Sequence, residues 1–395
     1  MIKRALEVKL RDAAEHYPVV TLTGPRQSGK TTILRNTFPA YHYVSLEEPD
    51  ERAFARSDPR GFLSRYKTEV IFDEVQRAPD LFSYIQTNVD ENDAPGRFIL
   101  SGSQNFLLLG SVSQTLAGRT SILHLMPFTK REIENREELT LERLFDDPPE
   151  TSSTDLFRMV FTGFYPRIHD KNLEPQGWYS DYFQTYIQRD VRDLVQVGDA
   201  EVFIRFVRLC AGRVGQLLSL SSLAADCGIS HTTARRWLSI LESSFIVYRL
   251  MPHYKNFSKR LIKSPKLYFL DCGLLCYLLR IKTPEDLQIS PFRGAVFESF
   301  CISEFLKSAY HRKMEPDLFF WRDSTGHEID LLIETSGALV PFEIKSGETF
   351  NESFLDGLFY WQKLSGVNND NATVLFGGNR KMKYKGINVI PWSHL

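Results

Sequence analysis

Gly24, Gly29, Lys30 and Thr31 lie in GPRQSGKT at residues 24–31, the spacing G-x-x-x-x-G-K-[ST] that builds a phosphate cradle. The glycines permit a tight turn, so that backbone N–H groups and a helix N-terminus face the phosphates. In such a loop Lys30 reaches the β and γ phosphates and Thr31 offers its hydroxyl to Mg²⁺. Thr32 assists near the α-phosphate, and Gln27 and Ser28 line the turn. A second group ends the apolar run EVIFDEVQ at 69–76, where Asp73 and Glu74 are adjacent. Carboxylates at the end of a buried strand are costly without a task. Asp73 suits Mg²⁺ held through water, and Glu74 suits a water aligned for attack on a γ-phosphate. The two groups together imply ATP and Mg²⁺ as cofactors, with hydrolysis as the reaction.

A third group lies far downstream: Glu298 in GAVFESFCISEFL, Asp330 in EIDLLIE, and Glu343 with Lys345 in VPFEIKSG. Strand side chains alternate, so Glu343 and Lys345 share one face while Phe342 and Ile344 take the other. The order of helical Glu, strand Asp and Glu-x-Lys resembles the restriction-endonuclease-like nuclease core. That resemblance implies Asp330 and Glu343 as ligands of a divalent metal that stabilises in-line attack on a phosphodiester. Lys345 would stand near the attacking water or the scissile phosphate, and Glu298 would complete the acid set. The plain alternative is a Glu343–Lys345 salt bridge at a sheet edge, with little effect on stability.

These groups need elements to place them. VVTLT before the cradle reads as a strand and TILRNTF after it as a helix. RFILSGSQ at 97–104 reads as a further parallel strand, ending with Ser103 or Gln104 beside the γ-phosphate; the sequence does not choose between them. LAGRT carries Arg119, a candidate phosphate contact within this subunit or in a neighbouring one. Residues 135–156 turn acidic and turn-prone, as in a connection at a domain edge. The aromatic stripe of 178–199 reads as core. Residues 217–245 read as a helix, a CGIS turn and a second helix starting at Ser230 or His231, a helix-turn-helix pattern. Two strands and a wing come next. LFFWRD, EIDLLIE and ALVPFEIK then read as successive hairpin strands.

The whole chain of 395 residues has a net charge of -1, so nucleic acid cannot be held by its surface at large. Between Arg205 and Lys266, however, eleven Lys/Arg face two acids, Asp226 and Glu242. Arg235 and Arg236 on the second helix, with Lys255, Lys259, Arg260, Lys263 and Lys266 on the wing, suit DNA phosphates and base edges. Winged helices also serve as plain packing modules, so DNA as a partner is an expectation. The five cysteines lack the paired spacing of zinc or redox sites and read as reduced core thiols. No run reaches the roughly 18 apolar residues of a membrane span, so a cytoplasmic protein is expected.

With GPRQSGKTT, VIFDEVQ, FILSGSQ, LAGR, YIQRDV, CGISHTTARRWLSILESSFIVYRL, PKLYFLDCGLL and HEIDLLIE...VPFEIKSG in place, the chain resembles the prokaryotic AAA-type P-loop ATPases that carry a C-terminal domain of formerly unknown function. The resemblance covers nearly the whole length. It implies an α/β protein: an AAA-type ATPase domain with a parallel sheet at 1–150, a helical region with a winged helix at 151–290, and a restriction-endonuclease-like domain at 291–395. It implies ATP binding and hydrolysis through Lys30, Thr31, Asp73 and Glu74. A second arginine motif is not distinct, which leaves Arg119 and Arg189 as candidates for a transition-state contact and a homo-oligomer as one way to supply it. Two classes of function stay open. One is an ATPase that licenses a metal-dependent nuclease on DNA; the other is a nucleotide-switched DNA-binding or scaffold protein whose nuclease-like domain is silent.

Overall fold

Strand β1 (Val19–Thr23) is buried along its whole length, as a strand covered on both faces must be. The computed structural model describes residues 2–102, 112, 114–146, 155–186, 200–253, 263–335, 338–366 and 370–395. Around β1 lie β2 (His42–Ser45), β3 (Val70–Asp73), β4 (Phe98–Ser101) and β5 (Thr120–His124), in the order β2-β3-β4-β1-β5 and all parallel. Parallel strands end at one edge of their sheet. That edge gathers Gly24 after β1, Asp73 at the end of β3 and Ser101 at the end of β4. Phe72, Phe82 and Phe98 pack on one face and Leu22, Ile71 and Ile99 on the other.

Helices Ala200–Ala211, Leu220–Cys227 and His231–Ser243 come after this sheet, then the antiparallel pair β6 (Val247–Pro252) and β7 (Lys266–Phe269). Gly228, at φ +69°, ends the second of these helices in the left-handed region that glycine enters freely. Ser230 caps the third: its hydroxyl accepts the Thr233 N–H at 3.0 Å, so the helix starts at His231.

The C-terminal strands are β8 (Leu318–Arg322), β9 (Glu328–Thr335), β10 (Ala338–Lys345), β11 (Thr373–Phe376), β12 (Met382–Tyr384) and β13 (Ile387–Pro391). They form one eight-stranded sheet with the earlier pair, in the order β12-β13-β11-β10-β9-β8-β6-β7. The join is a parallel pairing of Met251 with Phe319 and of Pro252 with Phe320. The hairpin assigned from sequence to the middle segment is thus bonded into the C-terminal sheet. A long helix, Arg293–His311, covers one face of that sheet, and Asp356–Ser365 covers the other.

One irregularity shapes the site. Phe319 faces Leu332 and Trp321 faces Ile329, so the single residue Phe320 lies opposite both Asp330 and Leu331. Such a bulge breaks the alternation of side chains and re-aims the residues on either side of it. Ile329 and Leu332 accordingly pack toward Trp361, while Leu331 and Ile333 pack toward the long helix.

The largest core runs from Met126 to Leu395 and unites the middle and C-terminal segments. Leu139 and Leu144, from the acidic stretch read as a connection, are buried in it, and so are Tyr179 and Tyr182 of the aromatic stripe. All five cysteines are buried and unbridged. Among the described residues no helix is long and apolar enough to cross a membrane.

Candidate functional site

The cradle is built as its spacing requires. A side chain at Gly24 would collide with the Leu125 carbonyl oxygen, and both Gly24 (φ +148°) and Gly29 (φ +94°) use backbone conformations that favour glycine. Lys30 opens the helix Lys30–Thr37 and turns back over the loop, donating to the Gly24 and Pro25 carbonyls at 3.0 and 2.9 Å. Burial pulls its ammonium from an ordinary 10.5 down to about 8, against the pull of Glu74 and Asp73. Ser28 is buried and its hydroxyl has no partner among the described residues, while Gln27 and Thr32 are exposed.

Asp73 is the most heavily bonded carboxylate of this edge. Its Oδ2 accepts the hydroxyls of Thr31 and Tyr43, both at 2.7 Å; its Oδ1 accepts the Ser101 hydroxyl at 2.5 Å and the Glu74 N–H at 3.1 Å. Burial, then the bond to Asp73, raises the Tyr43 phenol well above its usual range, so it stays a donor. Glu74 sits in the left-handed region at φ 54° and accepts the Gln76 amide at 2.6 Å. Behind the loop, Arg4 donates to the Ser28 carbonyl at 2.8 Å, the Met126 carbonyl at 2.6 Å and Glu132 at 3.0 Å. Sequence reading missed Tyr43, Ser101, Gln76 and Arg4. Gln76 was in view two residues beyond Glu74, but the others lie on separate elements.

Arg119 requires a correction. It immediately precedes β5, whose first residue Thr120 pairs with Val19, and so it stands at the opposite end of the sheet from Gly24. There it makes a two-pronged pair with Asp90, at 2.5 and 3.1 Å. Within one chain it does not approach the cradle; only a neighbouring subunit's site remains for it. Ser103, Gln104 and Arg189 lie outside the described residues.

The third group converges. Asp330 accepts the Ile344 N–H at 2.8 Å and the Lys345 ammonium at 3.1 Å, and Lys345 also pairs with Glu343 at 2.5 Å. Glu298, Glu328 and Asp330 each place an oxygen within 4.8 Å of the others, a spacing that suits a divalent cation. Glu328, two residues before Asp330 on one strand, was missed although the alternation made it readable. The first turn of Asp356–Ser365 closes over Glu343, and a side chain at Gly357 would strike its Oε1.

Lys266 also requires a correction. Read as a wing lysine for DNA phosphate, it is instead buried at 2% exposure, paired with Glu298 at 3.2 Å and with Glu328. Tyr268, on the same face of β7, donates to Glu298. Burial raises Glu298 to about 7 against the pull of Lys266, and burial with Asp330 beside it raises Glu343. Asp330 goes the other way: despite burial, Lys345, Lys266 and the Ile344 N–H hold it below the usual carboxylate range. Despite burial too, Lys266 and Lys345 are raised by these carboxylates.

A second acidic cluster, Glu132, Glu138 and His311, does not suit a metal. The Met126 N–H donates to His311 Nε2 at 3.2 Å, which puts the ring proton on Nδ1, the nitrogen that faces the carboxylates. Arg235 and Arg236 are exposed on His231–Ser243, and Lys263 is exposed before β7. Lys255, Lys259 and Arg260 lie outside the described residues.

Relatives are recognisable along the chain. A family model described as an AAA domain matches residues 16–134. Two models described as domains of unknown function match residues 153–285 and 293–395. The protein Rv2008c of Mycobacterium tuberculosis is 33% identical over 353 residues, covering 88% of this chain and 74% of its own length. Mb2031c of Mycobacterium bovis gives the same figures. Among solved structures, the Walker-type ATPase paby2304 of Pyrococcus abyssi is 15% identical with a TM-score of 0.39, over 71% of this chain and 96% of that one.

Proposed function

The chain belongs to the family of these two mycobacterial proteins and carries an AAA domain, and from that premise we propose that it binds ATP with Mg²⁺ and hydrolyses it at the cradle. The observation that carries this reading is the meeting of Lys30, Thr31 and Asp73 at the carboxyl edge of a parallel sheet. Thr31 and Asp73 offer hard oxygen donors 2.7 Å apart, a set that suits Mg²⁺, whose chemistry is to neutralise charge on the phosphates. Lys30 leaves two backbone carbonyls for the β and γ phosphates. Glu74, held by Gln76, orients the attacking water.

The polymer served by this hydrolysis is DNA, approached through Arg235 and Arg236. The C-terminal acid group is a metal-dependent phosphodiester site, with Asp330 and Glu343 as cation ligands, Glu298 completing the set and Lys345 beside the attacking water. A divalent cation there would act as a Lewis acid on the phosphodiester. One observation favours the second reading, a nucleotide-switched binding protein with a silent site: the buried Lys266 already pairs with Glu298 and Glu328, and Arg322 pairs with Glu328 as well.

Purified protein with a fluorescent ATP analogue and Mg²⁺ tests the first part, with Lys30→Ala expected to lose roughly 10- to 100-fold in affinity. Equal binding by Lys30→Ala would sink it. Incubation with single- and double-stranded DNA, Mg²⁺ or Mn²⁺, with and without ATP, decides the rest. Cleavage lost in Glu343→Ala supports the phosphodiester site, and ATP hydrolysis without cleavage supports the silent one.

A further inference from the structure

We propose that Tyr43 is a positioning residue of the nucleotide site, the side chain that holds the Asp73 carboxylate in place for the cation. The inference rests on the ATP and Mg²⁺ reading above and adds to it a residue outside both sequence motifs. Asp73 has donors from three elements: Thr31 in the first turn of Lys30–Thr37, Ser101 at the end of β4, and Tyr43 in the middle of β2. Ser101 and the Glu74 N–H occupy Oδ1, and Thr31 and Tyr43 share Oδ2.

Register places the phenol there. Tyr43 pairs with Ile71, two residues before Asp73, and two strand residues span about 6.5 Å, close to the reach of a tyrosine side chain. Its ring is held from the other side by the Arg35 guanidinium, 4.9 Å from the ring centre. Arg35 belongs to the same helix as Lys30 and Thr31, so the ring is clamped between the cradle helix and the sheet. A purely packing role would be met by phenylalanine, since the ring already lies against the core of Leu22 and Ile71. The hydroxyl adds a bond to a carboxylate that has to keep one orientation.

Donors that orient a metal-ligating carboxylate typically govern metal affinity or activity by 10- to 100-fold. Without the Tyr43 hydroxyl, Oδ2 keeps Thr31 alone. Thr31 is itself a proposed cation ligand, and the pair would then turn together.

The test is binding of a fluorescent ATP analogue to the full chain in excess EDTA and across a Mg²⁺ titration, for wild type, Tyr43→Phe and the control Tyr41→Phe. Wild type and Tyr41→Phe should gain affinity with Mg²⁺. Tyr43→Phe should match them in EDTA but need roughly 10- to 100-fold more Mg²⁺ for the same gain. An unchanged Mg²⁺ requirement overturns the inference alone, as does an equal loss with and without Mg²⁺, which is the mark of a packing role. A wild type indifferent to Mg²⁺ overturns both the inference and the reading beneath it. If Tyr43→Phe does not fold, 3-fluorotyrosine at position 43 of the otherwise unchanged chain serves instead. Its fluorine signal should move when Mg²⁺ joins bound nucleotide, and a signal that stays put overturns the assignment.

Discussion

Lys30 and Lys266 are both buried lysines, one in the cradle and one in the C-terminal acid group, and their surroundings act on them in opposite directions. Lys30 faces backbone carbonyls, and burial lowers its ammonium to about 8. Lys266 faces Glu298 and Glu328, and they raise its ammonium in spite of burial. The cradle therefore holds a cation that gains stabilisation from an incoming anion, as a polyphosphate site should. The acid group holds a cation whose partners are already in place, and its charge serves the fold before it serves any substrate.

The comparison can be broken by removing each lysine. Lys266→Met should destabilise the protein most, by about 3–5 kcal/mol, because it takes the counter-charge from the largely buried Glu298 and leaves Glu328 with Arg322 alone. Denaturant unfolding followed by tryptophan fluorescence measures this, and a loss under about 1 kcal/mol would show that the pair is not structural. Lys30→Met should leave the midpoint at pH 7 unchanged or higher while weakening nucleotide binding roughly 10- to 100-fold, as in Lys30→Ala.

The pH dependence sharpens the same contrast. The folded-state value of Lys30 lies below its unfolded value of 10.5, so between about 8 and 10.5 the unfolded chain binds more protons. The contribution of Lys30 to stability should rise with pH through that window, and the gap of about 2.5 corresponds to a ceiling of roughly 3 kcal/mol. Lys266 has the opposite sign: its contribution is complete below 10.5 and is lost as pH climbs beyond it. The buried cysteine thiols, which burial holds above their usual range, oppose this rise equally in both proteins, so unfolding curves at pH 8 and pH 10 are compared: Lys30→Met should fare worse than wild type over that interval, and an identical change in the two would remove Lys30 as a contributor.

Gly357→Ala tests how tightly the acid group is packed. The added methyl meets Glu343, so a loss of about 1–3 kcal/mol is expected in thermal or denaturant melts, and a neutral result would mean that Glu343 can move aside. The smallest effect belongs to Arg119→Ala. Since Arg119 stands at the far end of the sheet, the nucleotide affinity of the isolated chain should not change. A clear drop would place Arg119 at the cradle after all.

The two regions were also unequally legible. GPRQSGKT is contiguous because the cradle is one turn of backbone, so the order of residues is already the geometry. Asp73 and Glu74 could be added because an apolar run ending in acids marks a strand end. Asp330, Glu343 and Lys345 were readable by alternation along hairpin strands, and the structure brings them together. Lys266 was misassigned because side-chain type and local charge do not say which face of β7 meets which helix. Arg119 was left between two sites because a strand's direction in its sheet is not written in its residues.

What the sequence determined alone was local: the tight turn of the loop, a helix start at Ser230 or His231, and the alternation that pairs Glu343 with Lys345. Each depends on neighbours a few residues apart, where backbone geometry leaves little choice. What the tertiary structure decided was which distant groups share a partner. Tyr43 reaches Asp73 through the register of β2 with β3, and Lys266 reaches Glu298 because β6 joins β8 and makes two segments one sheet. Strand order and register are set by the packing of whole faces, and that packing is a property of the folded chain rather than of any short stretch of it.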